Sequence, residues 1–116
     1  MGQIAVNLGT DTYSPIDGGH GYDVHCTIAL SSSYSTGGDT WSATQFGLEK
    51  INKLFMNAAS GYVFEWLPTT NQAIVPTTGL IKAYWQSNPA SPAVLVEVTA
   101  GTNLSGISIR AHAQGV

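Results

Sequence analysis

Apolar and polar residues alternate with a period of two over most of the second half of this chain, and over one clear stretch near its start. In residues 24–30, Val24, Cys26, Ile28 and Leu30 share one face while His25, Thr27 and Ala29 share the other, which predicts a half-buried β-strand. Residues 62–67 put Tyr62, Phe64 and Trp66 on one side and Val63, Glu65 and Leu67 on the other. They are rich in aromatic and β-branched residues, so a second strand is expected. Residues 80–85 and the mostly apolar run 93–99 read as two more, the latter covered on both faces. Ile107, Ile109, Ala111 and Ala113 alternate with Ser108, Arg110, His112 and Gln114 in a closing strand.

Three segments are less regular. Residues 48–56 fit a helical stripe through Leu48, Ile51, Leu54 and Phe55, yet they also alternate as a strand. Their short length and the loop-like 57–61 that follows favour a strand over 50–56 with a hairpin into residue 62. Residues 68–78 carry prolines at both ends around Ile74 and Val75, which predicts a long turn with at most a short edge strand. The linker 86–92 contains two prolines and is expected to be irregular.

The start of the chain, residues 1–23, reads as an irregular arm. Ile4, Val6 and Leu8 could form one short strand, but the glycines from Gly9 to Gly21 argue against regular structure up to Tyr22. Such an arm either crosses its own domain or reaches a neighbouring subunit. Residues 24–116 then form one all-β domain of seven to eight strands, an antiparallel β-sandwich or a small barrel.

Between the first clear strand and the ambiguous segment lies a loop, residues 30–46. It runs through three serines and Tyr34, bends at Gly37-Gly38-Asp39 and reaches Trp41 and Phe46. A loop this long needs a function or an anchor, and its aromatics can pin it to a core while its glycines permit the bend. One helical turn within 39–45 is expected, capped by Asp39 or Thr40 and stopped by Gly47.

Composition changes this picture in one respect. Hydrophobic residues make up 43% of the chain and charged residues only 9%, so the surface owes its polarity to Ser, Thr, Asn, Gln and Gly. A typical soluble domain carries about 25% charged residues. A surface this poor in charge suits a protein packed against partners. The net charge is −3 and the four basic residues form no run, so no nucleic-acid surface is expected. The single cysteine, Cys26, excludes an internal disulfide and reads as a buried thiol. No apolar run approaches the roughly 20 residues of a membrane helix, and the first residues lack the features of a signal peptide, so neither membrane association nor export is expected.

Candidate chemistry is thin. His20, His25 and Asp23 are close in sequence, but residues 23 and 25 share a face that residue 20 need not join, and no fourth ligand is evident. The serine run lacks a nucleophile elbow, and Gly37-Gly38-Asp39 offers calcium one carboxylate. Glu65 and Glu97 lie on separate strands with nothing to pair them. No metal, cofactor or catalytic residue is assigned, and an enzyme is not expected. The aromatics Tyr34, Trp41, Trp66, Tyr84 and Trp85 stand out instead, because consecutive Tyr84 and Trp85 must point to opposite faces of one strand. Aromatics outside a core occur at protein interfaces and in sugar-binding grooves alike.

The order of S-S-S-Y-S-T-G-G-D-T-W (31–41), F-G-L (46–48), G-Y-V-F-E-W (61–66), L-I-K-A-Y (80–84), L-V-E-V-T-A-G-T-N-L-S (95–105) and the closing I-S-I-R-A resembles a family of small tailed-phage virion proteins. The likeness runs from about residue 24 to the end, and it is to head decoration, or cement, components. It implies a jelly-roll-like domain that sits on the capsid exterior, is made in the host cytoplasm, contacts the major capsid protein and assembles as a homotrimer. On that reading the contact elements are the 32–41 loop and the 1–23 arm, with Tyr13, Tyr34, Gly37, Gly38, Asp39, Trp41 and Trp85 as candidate interface residues. A carbohydrate-binding module stacking sugars on Trp41, Trp66 or Trp85, and a tail or fibre subunit, are the alternatives.

Overall fold

The computed structural model describes residues 2–8, 13–15, 21–68, 77–86 and 95–116, with 13–15 and 86 described by their backbone alone. Among the described residues nine strands form two antiparallel sheets, so the chain is an all-β sandwich. The five-stranded sheet contains β1 (Ala5–Asn7), β2 (Tyr13–Pro15), β3 (Tyr22–Ala29), β5 (Ile51–Met56) and β9 (Ile109–Gly115), in the order β1-β3-β9-β5 with β2 also on β3. The four-stranded sheet contains β4 (Asp39–Ser42), β6 (Tyr62–Pro68), β7 (Thr78–Gln86) and β8 (Leu95–Glu97), in the order β4-β7-β6 with β8 also on β7.

Both sheets share a device, a long strand with one edge divided between two short partners. β9 covers one edge of β3, while β1 takes residues 27–29 and β2 takes 22–24 on the other. β6 covers one edge of β7, while β4 takes 78–81 and β8 takes 84–86. The gap this leaves at Ala83 becomes important below.

Alternation fills the space between the sheets. Val24, Cys26 and Ile28 from β3, Ile109, Ala111 and Ala113 from β9, and Ile51 and Leu54 from β5 face Trp41, Ile81 and Ala83 across the core. The Trp41 indole is 1% exposed, packs 5.7 Å from Trp66 and donates from Nε1 to the Leu67 carbonyl at 3.3 Å. Interleaving large and small side chains in this way is how a sandwich reaches the density of a close-packed interior. Burial pushes the Cys26 thiol up to about 11, so it stays neutral, as a core residue should.

The short strand expected around Val6 forms as β1, and Ile4 beside it is 3% exposed and lies in the core. Gly2 and Ile4 run parallel to β4, with Ile4 N–H donating to Thr40 O at 3.0 Å and Thr40 N–H donating to Gly2 O at 2.9 Å. Other expectations are corrected. Glycine density did not prevent β2, because β3 offers a free edge at residues 22–24. Residues 39–42 are a strand, and the helical turn starts later as a 3-10 turn, Ala43–Phe46, with Ser42 as its N-cap and Gly47 as its left-handed C-cap. Asp39 is pulled out of helix because β7 needs a partner at Ile81.

The strand reading of residues 50–56 holds, but the hairpin after it is only local. Ser60 and Gly61 both take positive φ and close a tight turn between Ala59 and Tyr62, whereas β5 and β6 belong to different sheets. β8 is three residues long and not covered on both faces, since Leu95 is 55% and Val96 40% exposed. Of the linker expected to be irregular over 86–92, Gln86 is the last residue of β7, paired with Leu95, while 87–92 and the short edge strand expected around Ile74 lie outside the described residues.

Candidate functional site

The 31–38 loop is built as an anchor. Tyr34 is 1% exposed, and its hydroxyl sits in the gap on the β7 edge, accepting from Ala83 N–H at 3.1 Å and donating to Glu97 Oε2 at 2.7 Å. Gly37 N–H donates to the same carboxylate oxygen at 2.7 Å. The loop backbone is held as well, by Tyr34 N–H to Thr102 O at 2.9 Å and Gly101 N–H to Tyr34 O at 2.7 Å. Burial is the main influence raising the Tyr34 phenol above its ordinary value; the adjacent Glu97 charge adds to this, and the Ala83 N–H opposes it. Burial alone would raise the Glu97 carboxyl, but the Tyr34 and Gly37 hydrogen bonds and the Lys82 charge outweigh it and hold it below the usual carboxylate range.

Asp39 completes the anchor from the other side. It is 0% exposed, and its carboxylate accepts from Ser31 N–H at 2.7 Å and Ser35 N–H at 3.2 Å. Gly37 and Gly38 take φ values of +93° and +118°, and Gly38 N–H closes the turn onto Ser35 O at 2.9 Å. A side chain at Gly38 would meet the Ile81 carbonyl oxygen at 2.8 Å. The bend is therefore fixed by glycine on one face and by a buried carboxylate on the other.

This geometry redistributes the residues singled out from sequence. Tyr34, Gly38, Asp39 and Trp41 are buried in the chain's own core, so they position the loop and present no surface. Gly37 is half-buried and donates its amide inward. The side chain of Tyr13 lies outside the described residues, as does His20. Trp85 is exposed, at 43%. It shares the core-facing side of β7 with Ile81 and Ala83, but it lies at the strand's far end beside Val96, its register partner on β8. Tyr84 points the other way and donates to Glu65 Oε1 at 2.8 Å. Trp66 faces the core and is half-buried, so of the three tryptophans only Trp85 offers an open ring.

A second surface emerges on the outer face of the five-stranded sheet. Phe55, His112 and His25 are directly opposite one another on β5, β9 and β3. The two imidazoles stack with centroids 4.5 Å apart and planes 19° apart, and Phe55 lies 6.0 Å from His112. His112 Nε2 is 3.2 Å from Asp23 Oδ1, and neither of these shielded atoms has another partner. The ring row floors a groove of about 600 Å³ whose walls are Asn7 and Leu8 on one side and Phe55 and Asn57 on the other. Arg110 and Thr27, which are register partners, lie in its floor.

No protein-family model, curated protein or solved structure matches this chain at a significant level.

Asp23 and His25 do share the outer face of β3, as expected from sequence, but Asp23 turns to His112. Among the described residues, no three His, Cys, Asp or Glu side chains converge as a metal site would require. The Tyr34–Glu97 link and the ring row were both missed in the sequence, because each depends on partners 57 to 87 positions apart whose register only the sheets define. One signal was present for the row: His25 and His112 both fall on outward positions of confident strands.

Proposed function

We propose that this chain is a structural virion protein that decorates the outside of a tailed-phage head, binding the major capsid protein as a homotrimer and cementing neighbouring subunits. The sequence likeness supplies the class. The observation that best supports it in the fold is the exposed apolar corner formed by the register partners Trp85 and Val96, at 43% and 40% exposure, in a protein whose charged residues are only 9%. A tryptophan beside an aliphatic side chain in a charge-poor surround has the composition of an interface hot spot. The work is mechanical. Apolar area is buried between shell subunits, and trimeric attachment multiplies a modest affinity per copy without new contacts. The sandwich, a jelly-roll-like wedge on this reading, must be stiff to transmit load, and the doubly anchored 31–38 loop gives it that stiffness at one corner. With Tyr34 and Trp41 committed to the core, the contact moves from the loop to the Trp85 corner.

Co-sedimentation of purified protein with expanded empty shells tests this. The wild type is expected to pellet with the shells, and Trp85→Ser to bind about tenfold or more weakly while keeping its fold. Equal binding by the variant would remove the corner from the account, and failure of the wild type to bind any shell would remove the function.

A further inference from the structure

The groove on the outer face of the five-stranded sheet is unused by the decoration reading, which places its contact on the other sheet. We infer that this groove binds a carboxylate-bearing saccharide, a uronic or sialic acid unit, through the ring row and Arg110. The inference rests on the groove alone and stands or falls independently of shell binding.

Three features of the lining select this ligand class. The first is size and shape. At about 600 Å³ the groove falls within the range of small-ligand clefts, roughly 300–1,000 Å³, and is far too small for a folded domain. The second is the platform. Phe55 is 53% exposed and continues into the stacked His112 and His25 rings, so three ring systems from three adjacent strands make one apolar wall. The C–H face of a pyranose packs against such a wall while its hydroxyls remain free for polar partners. Asn57 and Thr27 stand beside the rings to meet them.

The third is charge. Among the described residues no carboxylate lines the groove, and Arg110 is the formally charged residue there. The nearby acid on this face, Asp23, is turned to His112 Nε2 at 3.2 Å. Among the described residues no carboxylate pairs with Arg110, so an exposed guanidinium stands in the groove of a chain whose net charge is −3. An exposed guanidinium is suited to a planar carboxylate, which it can grip through two parallel hydrogen bonds. A nucleic acid strand would require several cations spaced along a backbone, and this face presents only Lys53 besides Arg110. A purely apolar ligand would strand the polar groups against it.

The test is a titration of the intact protein, followed by amide resonances, with glucuronic acid and with N-acetylneuraminic acid. Glucose, acetate and adenosine monophosphate serve as comparison ligands. The inference expects shifts centred on Thr27, Phe55, Arg110 and His112, with glucose and acetate each binding about tenfold or more weakly than the acidic sugars. Arg110→Gln and Phe55→Ala, both at exposed positions, are each expected to weaken acidic-sugar binding about tenfold while resonances of the core stay in place. The inference is overturned if no groove resonance moves with either acidic sugar, if acetate or adenosine monophosphate binds as tightly as they do, or if either substitution leaves the affinity unchanged.

Discussion

Replacing Tyr34 with Phe removes one oxygen atom and should cost far more than a surface change. The hydroxyl does two things: it accepts from Ala83 N–H at 3.1 Å and donates to Glu97 Oε2 at 2.7 Å. Ala83 is 0% exposed and sits where neither β4 nor β8 pairs with β7, so in the variant its N–H is buried without an acceptor. Leaving a buried donor unpaired costs about 1–3 kcal/mol. The Glu97 side loses less, because that carboxylate is partly open to solvent and keeps Gly37 N–H. The phenyl ring itself still fills its site, so no cavity term enters. The sum is about 2 kcal/mol. With an unfolding entropy near 2.1 cal/mol/K per residue, a domain of 116 residues should then melt about 8 °C lower. Urea unfolding and calorimetry of the two proteins measure this directly, and a Tyr34→Phe, Glu97→Gln double-mutant cycle isolates the coupling. A loss below about 0.5 kcal/mol, the scatter of ordinary surface substitutions, would mean that the hydroxyl is not the partner of Ala83 and that the loop is held by its backbone alone.

Two further outcomes follow from the same structure. Glu97 has a folded pKa below its unfolded value, so its contribution is fully present above the ordinary carboxylate range near pH 4 and is lost as pH falls through the folded value. Denaturation curves should therefore show wild type and Glu97→Gln differing at pH 7 by no more than about 1 kcal/mol, given the solvent around this carboxylate, and converging in acid. A gap that widens on acidification would contradict the assignment. Gly79 faces the Leu67 carbonyl oxygen, and an added Cβ would lie 2.7 Å from Trp41 Nε1, so Gly79→Ala should destabilise by about 1–3 kcal/mol and raise the intensity or shift the maximum of Trp41 emission. Wild-type stability in that variant would show that the β4–β7–β6 packing around Trp41 has slack.

The strands themselves were legible because their alternation is strict. The 24–30 and 107–113 patterns placed their apolar residues inward correctly, residues 62–67 form the expected strand with Tyr62, Phe64 and Trp66 toward the core, and the ambiguous 48–56 segment resolved to a strand. Local patterns failed where an element depends on an edge elsewhere. β2 forms among glycines because β3 exposes residues 22–24, and β4 replaces a helical turn because β7 exposes residues 78–81. The candidate site failed for a related reason. Tyr34 and Trp41 read both as anchors pinning the loop to a core and as interface candidates; they are anchors, because a buried carboxylate, Asp39, and a distant one, Glu97, receive the loop's backbone and hydroxyl donors and let it fold inward. Nothing near residue 34 in the sequence marks residues 83 and 97 as its partners. Alternation correctly sends one of the adjacent Tyr84 and Trp85 outward, and that one is Tyr84; Trp85 is open for a different reason, its place at the end of β7 beside the short β8.

The most direct measurement of the central claim is a reconstruction of the mature phage head at side-chain resolution. The account predicts this sandwich on the outer surface of the shell in threefold groups, with Trp85 and Val96 buried against the major capsid protein. Mature particles that lack the chain, or that carry it with the Trp85 corner facing solvent, would contradict it.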